Sequence, residues 1–566
     1  VNNPILDALA EGRNDRVNEA LDLYMKIIKN EERREPYLIE NLYALGLAAL
    51  TAYAVLRDFK EYVNDGELKV KALETVDWSM LQVGEASAVS RIINLLIRSG
   101  LSDLSLDLWA SILRTATGPL IGHETQLHDL ILPIDNLWIK HDKLKDWSKA
   151  FLIEARADTM SSRITNEKTC KVFNELMNII NNEIKSKALR LLIKAYVYWR
   201  LAESGIDCSI DIKPELEALI NLLEYVDLDN WVKDWQLIEY LRHYETWKDA
   251  LLHLIRGRLA GLYYAIGMVS MSKGNFDDAV EYFKKSREIN KELENWPNYI
   301  TSFDFIIRTK AIRSSSVREL LEIGREFKEA YREAVKKLGP TANELMIHAY
   351  LLAGYLAYLS ITNNNDKVKD LMREYNWLLE YVLDVDVATK LFLNWLGVSI
   401  EKPSVKKIIN VIEVHLWPGF APALKGALGI KIDCSEECGK YADYKLSMLC
   451  NLACSAVKGN RNKYNELIDS IRNVINSDLV NGLANYYPRA FIQAIAPITS
   501  RASFILALNA LVNNDYGSVR AIAMYCEHAF STSIIQKLFK ELREAIERDN
   551  KDIITLALAK LFYYHI

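Results

Sequence analysis

The chain is 566 residues long, half of them hydrophobic and 26% charged, with a formal net charge of −5. That length exceeds one compact core, so several domains or a repeat array are expected, and the acidic balance argues against a generally basic nucleic-acid binder. The opening VNNPILDALAEGRNDR lacks a basic stretch followed by an apolar one, so no secretory signal is read there and a cytoplasmic location is expected.

Helical period dominates nearly every segment, with no train of alternating strands. The expected fold class is all-α, an irregular α-solenoid of stacked helix–turn–helix units. Helices over 5–10 and 17–28 pair around Glu11-Gly12-Arg13-Asn14, and others follow near 38–57 and 68–82. The run 42–56 is the strongest membrane candidate, but it is shorter than the ~20 residues that a spanning helix needs. Its Gly46, Ala48, Ala49, Thr51 and Ala52 suit close packing in a buried helix instead, so no membrane partner is expected. Helices over 84–98 and 104–116 are separated by Ser99-Gly100, and Gly118-Pro119 stops the second.

Residues 120–160 are less regular and rich in His and Trp. His123, His128 and His141 stand among Glu124, Asp129, Asp135 and Asp142. Glu124 and His128 share a helix face, an arrangement that suits an acid/base pair or a cation chelate. A metal-dependent hydrolase at 123–142 is therefore the third functional reading, against salt-bridged surface histidines as the plainer one. The zinc-protease motif is not matched, because five residues place His123 and His128 about 140° apart around a helix. Two long helices, about 167–184 and 186–204, end at Gly205, and Pro214 sits in the first turn of the next.

The centre of the chain is 260–293, AGLYYAIGMVSMSKGNFDDAVEYFKKSREINKEL. Tyr263, Ile266, Gly267 and Ser270 share a face of one helix; Phe276, Ala279, Phe283 and Ser286 share a face of the next. Lys273-Gly274-Asn275 makes the turn, where Gly274 can take a positive φ. Large residues at 263, 276 and 283 alternate with small ones at 267, 279 and 286, so the helices can approach closely. This spacing resembles the tetratricopeptide repeat, with Ser270 where an aromatic is usual and Lys291 where proline is usual. Variants of the turn recur at 363–366, 458–461 and 513–516, at unequal intervals. Around the first of these, Tyr350, Ala353, Gly354 and Ala357 repeat the first-helix pattern; Ala507, Ala510, Tyr516, Val519 and Ala523 do so around the last. Units of this kind bury their apolar faces by stacking on neighbours. The expected organisation is an N-terminal helical array over 1–205, a central array over 206–416, a Pro/Gly-rich elbow or insertion over 417–443, and a C-terminal array over 444–566.

The resemblance implies that the first helix of each pair lines a concave ligand surface. On that mapping the partner-binding wall carries Tyr264, Met268 and Met271, then His348, Leu351, Tyr355 and Tyr358. The family's Lys, Arg and Asn clamp for peptide carboxylates is not matched here. Aromatic and Met side chains suit an apolar peptide or amphipathic helix. The competing reading is that neighbouring helices of the same chain already fill the groove.

Arg308, Lys310, Arg313 and Arg318 form a basic run containing Ser314-Ser315-Ser316, with no acid from 305 to 318. Serines that cap a following helix can present backbone N–H groups to a phosphate, so an RNA-associated repeat protein is the second reading. A solvated turn is the plainer one.

Cys434 and Cys438, and again Cys450 and Cys454, are spaced four apart, so each pair shares a helix face. Should these segments form an antiparallel hairpin, Cys434 faces Cys454 and Cys438 faces Cys450. The arrangement resembles the twin Cys-x3-Cys hairpin of the small mitochondrial translocase chaperones, which is clamped by two bridges. Three states stay open for it: reduced thiols, one or two disulfides, or a structural zinc. Cys170, Cys208 and Cys526 are isolated in sequence. Neither a phosphate-binding loop nor a Gly-x-Ser-x-Gly elbow is present. The reading that follows is a non-catalytic scaffold or adaptor for an unidentified protein, with no cofactor unless zinc holds the cysteines, and no small-molecule substrate.

Overall fold

The computed structural model describes residues 134–566, apart from 136, 162–165, 207, 209, 245–249, 339–341, 473 and 531, together with Ala110 and Arg114. The expected helix pairs before residue 110, the run 42–56, and His123, Glu124, His128 and Asp129 lie outside the described residues.

Among the described residues the chain is all-α, with 24 helices and no strand. In order these are α1 Asp146–Asp158, α2 Asn166–Asn182, α3 Lys187–Ser204, α4 Ile212–Glu224, α5 Leu228–Trp231, α6 Trp235–Tyr244, α7 Ala250–Ser272, α8 Phe276–Glu292, α9 Trp296–Arg313, α10 Val317–Lys337, α11 Ala342–Ile361 and α12 Asn365–Tyr381. There follow α13 Leu383–Trp395, α14 Val405–Ile412, α15 Ala421–Ala427, α16 Cys434–Gly439, α17 Tyr444–Val457, α18 Arg461–Ile471, α19 Ser477–Leu483, α20 Pro488–Ile495, α21 Ser500–Val512, α22 Tyr516–Ala529, α23 Ser533–Glu547 and α24 Lys551–His565. They divide between two compact units: Val1–Val269 with Glu281–Ser302 and Val335–Ile347, and Ser270–Val280 with Phe303–Ala334 and His348–Ile566.

One turn recurs within each unit. A residue at positive φ closes the helix, and an Asn or Asp directly after it starts the next: Gly274-Asn275, Glu294-Asn295, Asn363-Asn364, Gly459-Asn460, Asn514-Asp515 and Asp549-Asn550. At the first of these, Gly274 N–H donates to Met271 O at 3.0 Å and Asn275 N–H to Ser270 O at 2.8 Å. The same two bonds form at Glu294/Asn295, Asn363/Asn364, Gly459/Asn460 and Asn514/Asp515, satisfying carbonyls that a helix end leaves open. Asn460, Asp515 and Asn550 then accept a backbone N–H of the helix they begin. The turns read from the sequence at 273–276, 363–366, 458–461 and 513–516 are thus helix junctions. The one at Glu294 carries no turn residue at its positive-φ position and was not foreseen.

Close approach between helices rests on glycines. A Cβ on Gly267 would lie 2.6 Å from the Phe283 ring in the first unit. In the second, Cβ atoms on Gly324 and Gly354 would lie 1.9 Å from Tyr358 and 2.7 Å from Phe327. Nothing larger than hydrogen fits beneath these rings without displacing them.

In the first unit α1 is buried along almost its whole length, including the polar Ser148, Glu154 and Asp158. α3 packs on it. Ser186 caps α3 through Leu189 N–H, and Gly205, at φ +65°, ends it. In the second unit the last helix buries ten of its fifteen residues. α24 brings Tyr563 onto Phe327 with ring centroids 4.9 Å apart, Phe562 onto Phe392 at 4.7 Å, and His565 onto Phe504 at 5.2 Å. It therefore packs on α10, α13 and α21, the first of them more than two hundred residues away in sequence. Stacking of sequence neighbours alone does not describe this unit.

The segment 417–443, expected to be irregular, holds two short helices, α15 and α16, and lies wholly within the second unit. Pro422 falls in the first turn of α15, where its missing N–H costs nothing. Trp417 N–H donates to Ala496 O and Ile498 N–H to His415 O, pinning the segment to the chain at 496–498. Among the described helices, Glu344–Ile361 is long and apolar enough to cross a membrane, and 72% of that window is buried inside the fold.

Candidate functional site

The residues mapped to a concave wall are largely consumed by packing. Tyr264 is buried with its ring against Phe283 at 5.5 Å, and Met271 is buried with its sulfur accepting from Thr309 Oγ1. Leu351 is fully buried. Tyr355 is buried and stacks between Tyr331 and Tyr358, at 5.8 and 6.5 Å. Tyr358 covers Gly324. Met268, His348 and Tyr358 keep partial exposure. Tyr264, Met271, Leu351 and Tyr355 are therefore corrected from partner contacts to core. The physical reason is the glycine pattern: each hole it opens is filled by an aromatic ring of the same unit. Tyr264 also edges a cleft shared with Glu203, Asn290, Asn298 and Ser302, with about 30 Å³ of space, enough for about two waters.

The basic run comes apart in three dimensions. Arg308 is 3% exposed; its Nε donates to Asp304 Oδ2 at 2.7 Å and its Nη1 to Tyr563 O at 3.1 Å. Arg308 is thus corrected from surface patch to core. Lys310 Nζ bonds both oxygens of Glu326 at 2.8–2.9 Å, and Arg313 pairs with Asp277. Arg318 stands exposed, 3.8 Å from Glu322. Every partner acid comes from outside 305–318. Two of the N–H groups at this helix start, those of Ser315 and Glu319, are engaged as well. Ser316 Oγ caps Glu319 N–H, while the Glu319 carboxylate accepts from Ser315 N–H and O–H, and these bonds hold its pKa below the usual carboxylate range.

Of the histidine cluster, His141 is placed with Nδ1 2.8 Å from Trp138 O and Nε2 3.3 Å from Glu183. Asp135 pairs with Arg156. Both sit in ordinary structural contacts.

The four paired cysteines do converge. Asp433 caps α16 and Asp443 caps α17, so the two helices form the expected hairpin. Cys438 and Cys450 are joined in a disulfide, Cα atoms 5.6 Å apart. Cys434 and Cys454 are buried, neighbouring thiols, and Cys454 Sγ lies 4.0 Å from Cys438 Sγ. Burial, ahead of the Cys434 contact, raises the Cys454 pKa. Cys438, Cys450 and Cys454 place their sulfurs within 4.8 Å of one another.

Three features escaped the sequence reading. Cys170 and Cys208 form a second disulfide. Its signal was present: Cys170 opens one long helix, Cys208 follows the end of the next, and antiparallel helices bring those ends together. A buried ionic network fills the first unit. Glu154 accepts from Arg114 Nε at 2.5 Å, Arg258 Nη2 at 2.6 Å and Tyr240 OH at 2.6 Å. Asp158 accepts from Tyr196 OH and from Arg114 at 3.2 Å, and Arg200 reaches Asp158, Glu203 and the Tyr196 hydroxyl. Burial keeps the Tyr196 phenol protonated far above the ordinary tyrosine range. Every charge here has a protein partner, so the network joins helices rather than awaiting a ligand.

The third feature is an apolar strip on the second unit. Val414, Trp417, Tyr444 and Met448 are 49, 48, 80 and 46% exposed. A Cβ on Gly419 would lie 3.4 Å from Leu446 O, so the turn that follows Trp417 runs against α17, the helix bearing Tyr444 and Met448. The Trp417 side chain neighbours Tyr525.

No family model, curated protein or solved structure matches the chain.

Proposed function

We propose that the chain is a non-catalytic, tetratricopeptide-like scaffold that holds a partner protein by an apolar contact. The contact lies at the exposed strip of Val414, Trp417, Tyr444 and Met448, not at the wall mapped from the repeat. One observation carries this reading: Val414, Trp417, Tyr444 and Met448 are all about half exposed or more, on two segments that approach each other where the Gly419 turn meets α17. Clustered apolar side chains in solvent mark interaction sites, and Trp, Tyr and Met are favoured there. The repeated two-helix junctions and their glycine–aromatic contacts support the likeness to the repeat family. The partner is a protein presenting an apolar peptide or helix face.

The test is a photo-cross-linking amino acid placed at position 448, and at position 355 as a buried control, in cells of the source organism. The expected result is one recurring protein adduct from 448, lost on Trp417→Ala with Tyr444→Ser while the melting temperature holds. Adducts from 355 alone, or none from 448, would sink the scaffold reading as placed here.

A further inference from the structure

We propose that Cys434 and Cys454 close a second disulfide, so that the α16–α17 hairpin is held by two covalent rungs. α16 has six residues, too few to persist as a helix by itself, and its buried side chains are its two cysteines. What attaches this helix to the unit is therefore sulfur. Cys438 is already bonded to Cys450. Stepping four residues back along α16 and four forward along α17 returns to the same facing surfaces, where Cys434 meets Cys454. Their thiols are neighbours, and both are buried.

A zinc site is the rival chemistry, and the spacing of the sulfurs argues against it. Four thiolates around one zinc at ~2.3 Å require every pair of sulfurs to lie about 3.8 Å apart. Cys438 and Cys450 are instead bonded to each other, and Cys434 is not among the sulfurs that lie within 4.8 Å of one another. Cys434 is placed for a rung, not for the fourth corner of a tetrahedron.

The reaction needs a two-electron acceptor, and a small-molecule disulfide such as oxidised glutathione supplies one. The Cys434 thiolate attacks one glutathione sulfur, breaking its S–S bond and expelling the first glutathione thiolate. The Cys454 thiolate then attacks the Cys434 sulfur of the mixed disulfide and expels the second. The two cysteine protons end on the two released glutathione thiols. Because attack requires a thiolate and access, the rung forms while the hairpin is still open, before burial closes over it.

The experiment uses the full chain, purified without reductant, unfolded in guanidinium chloride and titrated with Ellman's reagent. The chain holds seven cysteines, of which Cys434, Cys454 and Cys526 lie outside the two disulfides described above. One thiol per chain, that of Cys526, is the expected count. Digestion after Glu437 and Leu452 then yields a peptide pair linking Cys434 to Cys454. Three thiols per chain, bound zinc by elemental analysis, or a link from Cys454 to Cys438 would each overturn the proposal. Cys454→Ser should raise the count from one to two. Should that variant fail to fold, reoxidation of fully reduced wild-type chain decides: two glutathione thiols are released per bridge, and the yield corresponds to three bridges if the rung forms and to two if it does not.

Discussion

α1 in the first unit and α24 in the second are both buried along most of their length, yet different chemistry holds them. α1 offers Glu154 and Asp158 to Arg114, Arg200, Arg258, Tyr196 and Tyr240, so its contacts are directional hydrogen bonds and ion pairs. α24 offers Phe562, Tyr563 and His565 to the rings of Phe392, Phe327 and Phe504, so its contacts depend on volume. A charge network inside a protein specifies which helices meet and in what register, at a desolvation cost that makes it little more stable than apolar packing. Stacked rings supply stability from burial and tolerate small changes of shape. The two interiors should therefore answer differently to substitutions that keep size and alter charge, or keep chemistry and alter size.

Glu154→Gln gives the largest expected effect. It preserves volume but leaves Arg114 and Arg258 facing a neutral amide in a fully buried site, and breaking a buried pair in this way costs about 3–5 kcal/mol. Phe562→Leu in the second unit changes shape while staying apolar and is expected to cost roughly 1–2 kcal/mol. Urea unfolding of the two variants decides the matter. A cost under about 1 kcal/mol for Glu154→Gln would mean that the first unit is held by volume too, and the contrast between α1 and α24 would fail.

The stacked interior has one titratable member, and pH can address it selectively. His565 is fully buried; burial, partly offset by the bond to Leu561 O and assisted by Arg501, lowers its pKa from 6.5 to about 3. Below pH 6.5 the unfolded chain takes up a proton that the folded chain refuses, so stability falls as pH drops from 6.5 toward 3. Between pH 6.5 and 5, above the carboxylate range, the loss attributable to this residue is roughly 1–2 kcal/mol. Hydrogen exchange of peptides covering 551–566 should speed up over that interval in the wild type and much less in His565→Gln. An equal acceleration in both would show that the ring next to Phe504 is not the group responsible.

Local structure was legible wherever a residue sets its own backbone. Gly205, Gly274, Asn363, Gly459 and Asn514 announce helix ends because they accept positive φ, and Pro214 announces a beginning because it lacks an N–H, whereas Pro422 falls in the expected elbow and starts a short helix there. The hairpin of four cysteines was legible because a spacing of four repeats a helix face. What could not be read was which face a distant helix would cover. Arg308 looks exposed from its acid-free neighbourhood, but Asp304 lies one turn upstream and Tyr563 arrives 255 residues later. Tyr355 looks like a groove residue until Tyr331 stacks on it. The network around Glu154 stayed invisible because its bonded pairs lie up to 104 residues apart and each charged member, alone, resembles a surface charge.

The recurring turn extends the comparison down to single residues, since the same junction is built with glycine at 274 and 459 in the second unit and with glutamate at 294 in the first. An L side chain in the left-handed region costs roughly 1–2 kcal/mol, while a glycine there costs more of the unfolded chain's freedom. The two terms oppose each other, and the steric one is larger. Glu294→Gly is therefore expected to stabilise the first unit by about 0.5 kcal/mol, and Gly459→Ala to destabilise the second by about 1 kcal/mol. Opposite signs in thermal unfolding would show that backbone geometry governs the junction in either unit, whatever fills the interior around it. A loss on Glu294→Gly would instead mean that the Glu294 side chain makes a contact worth more than the strain of its backbone, and the turns of the two units would then differ as their cores do.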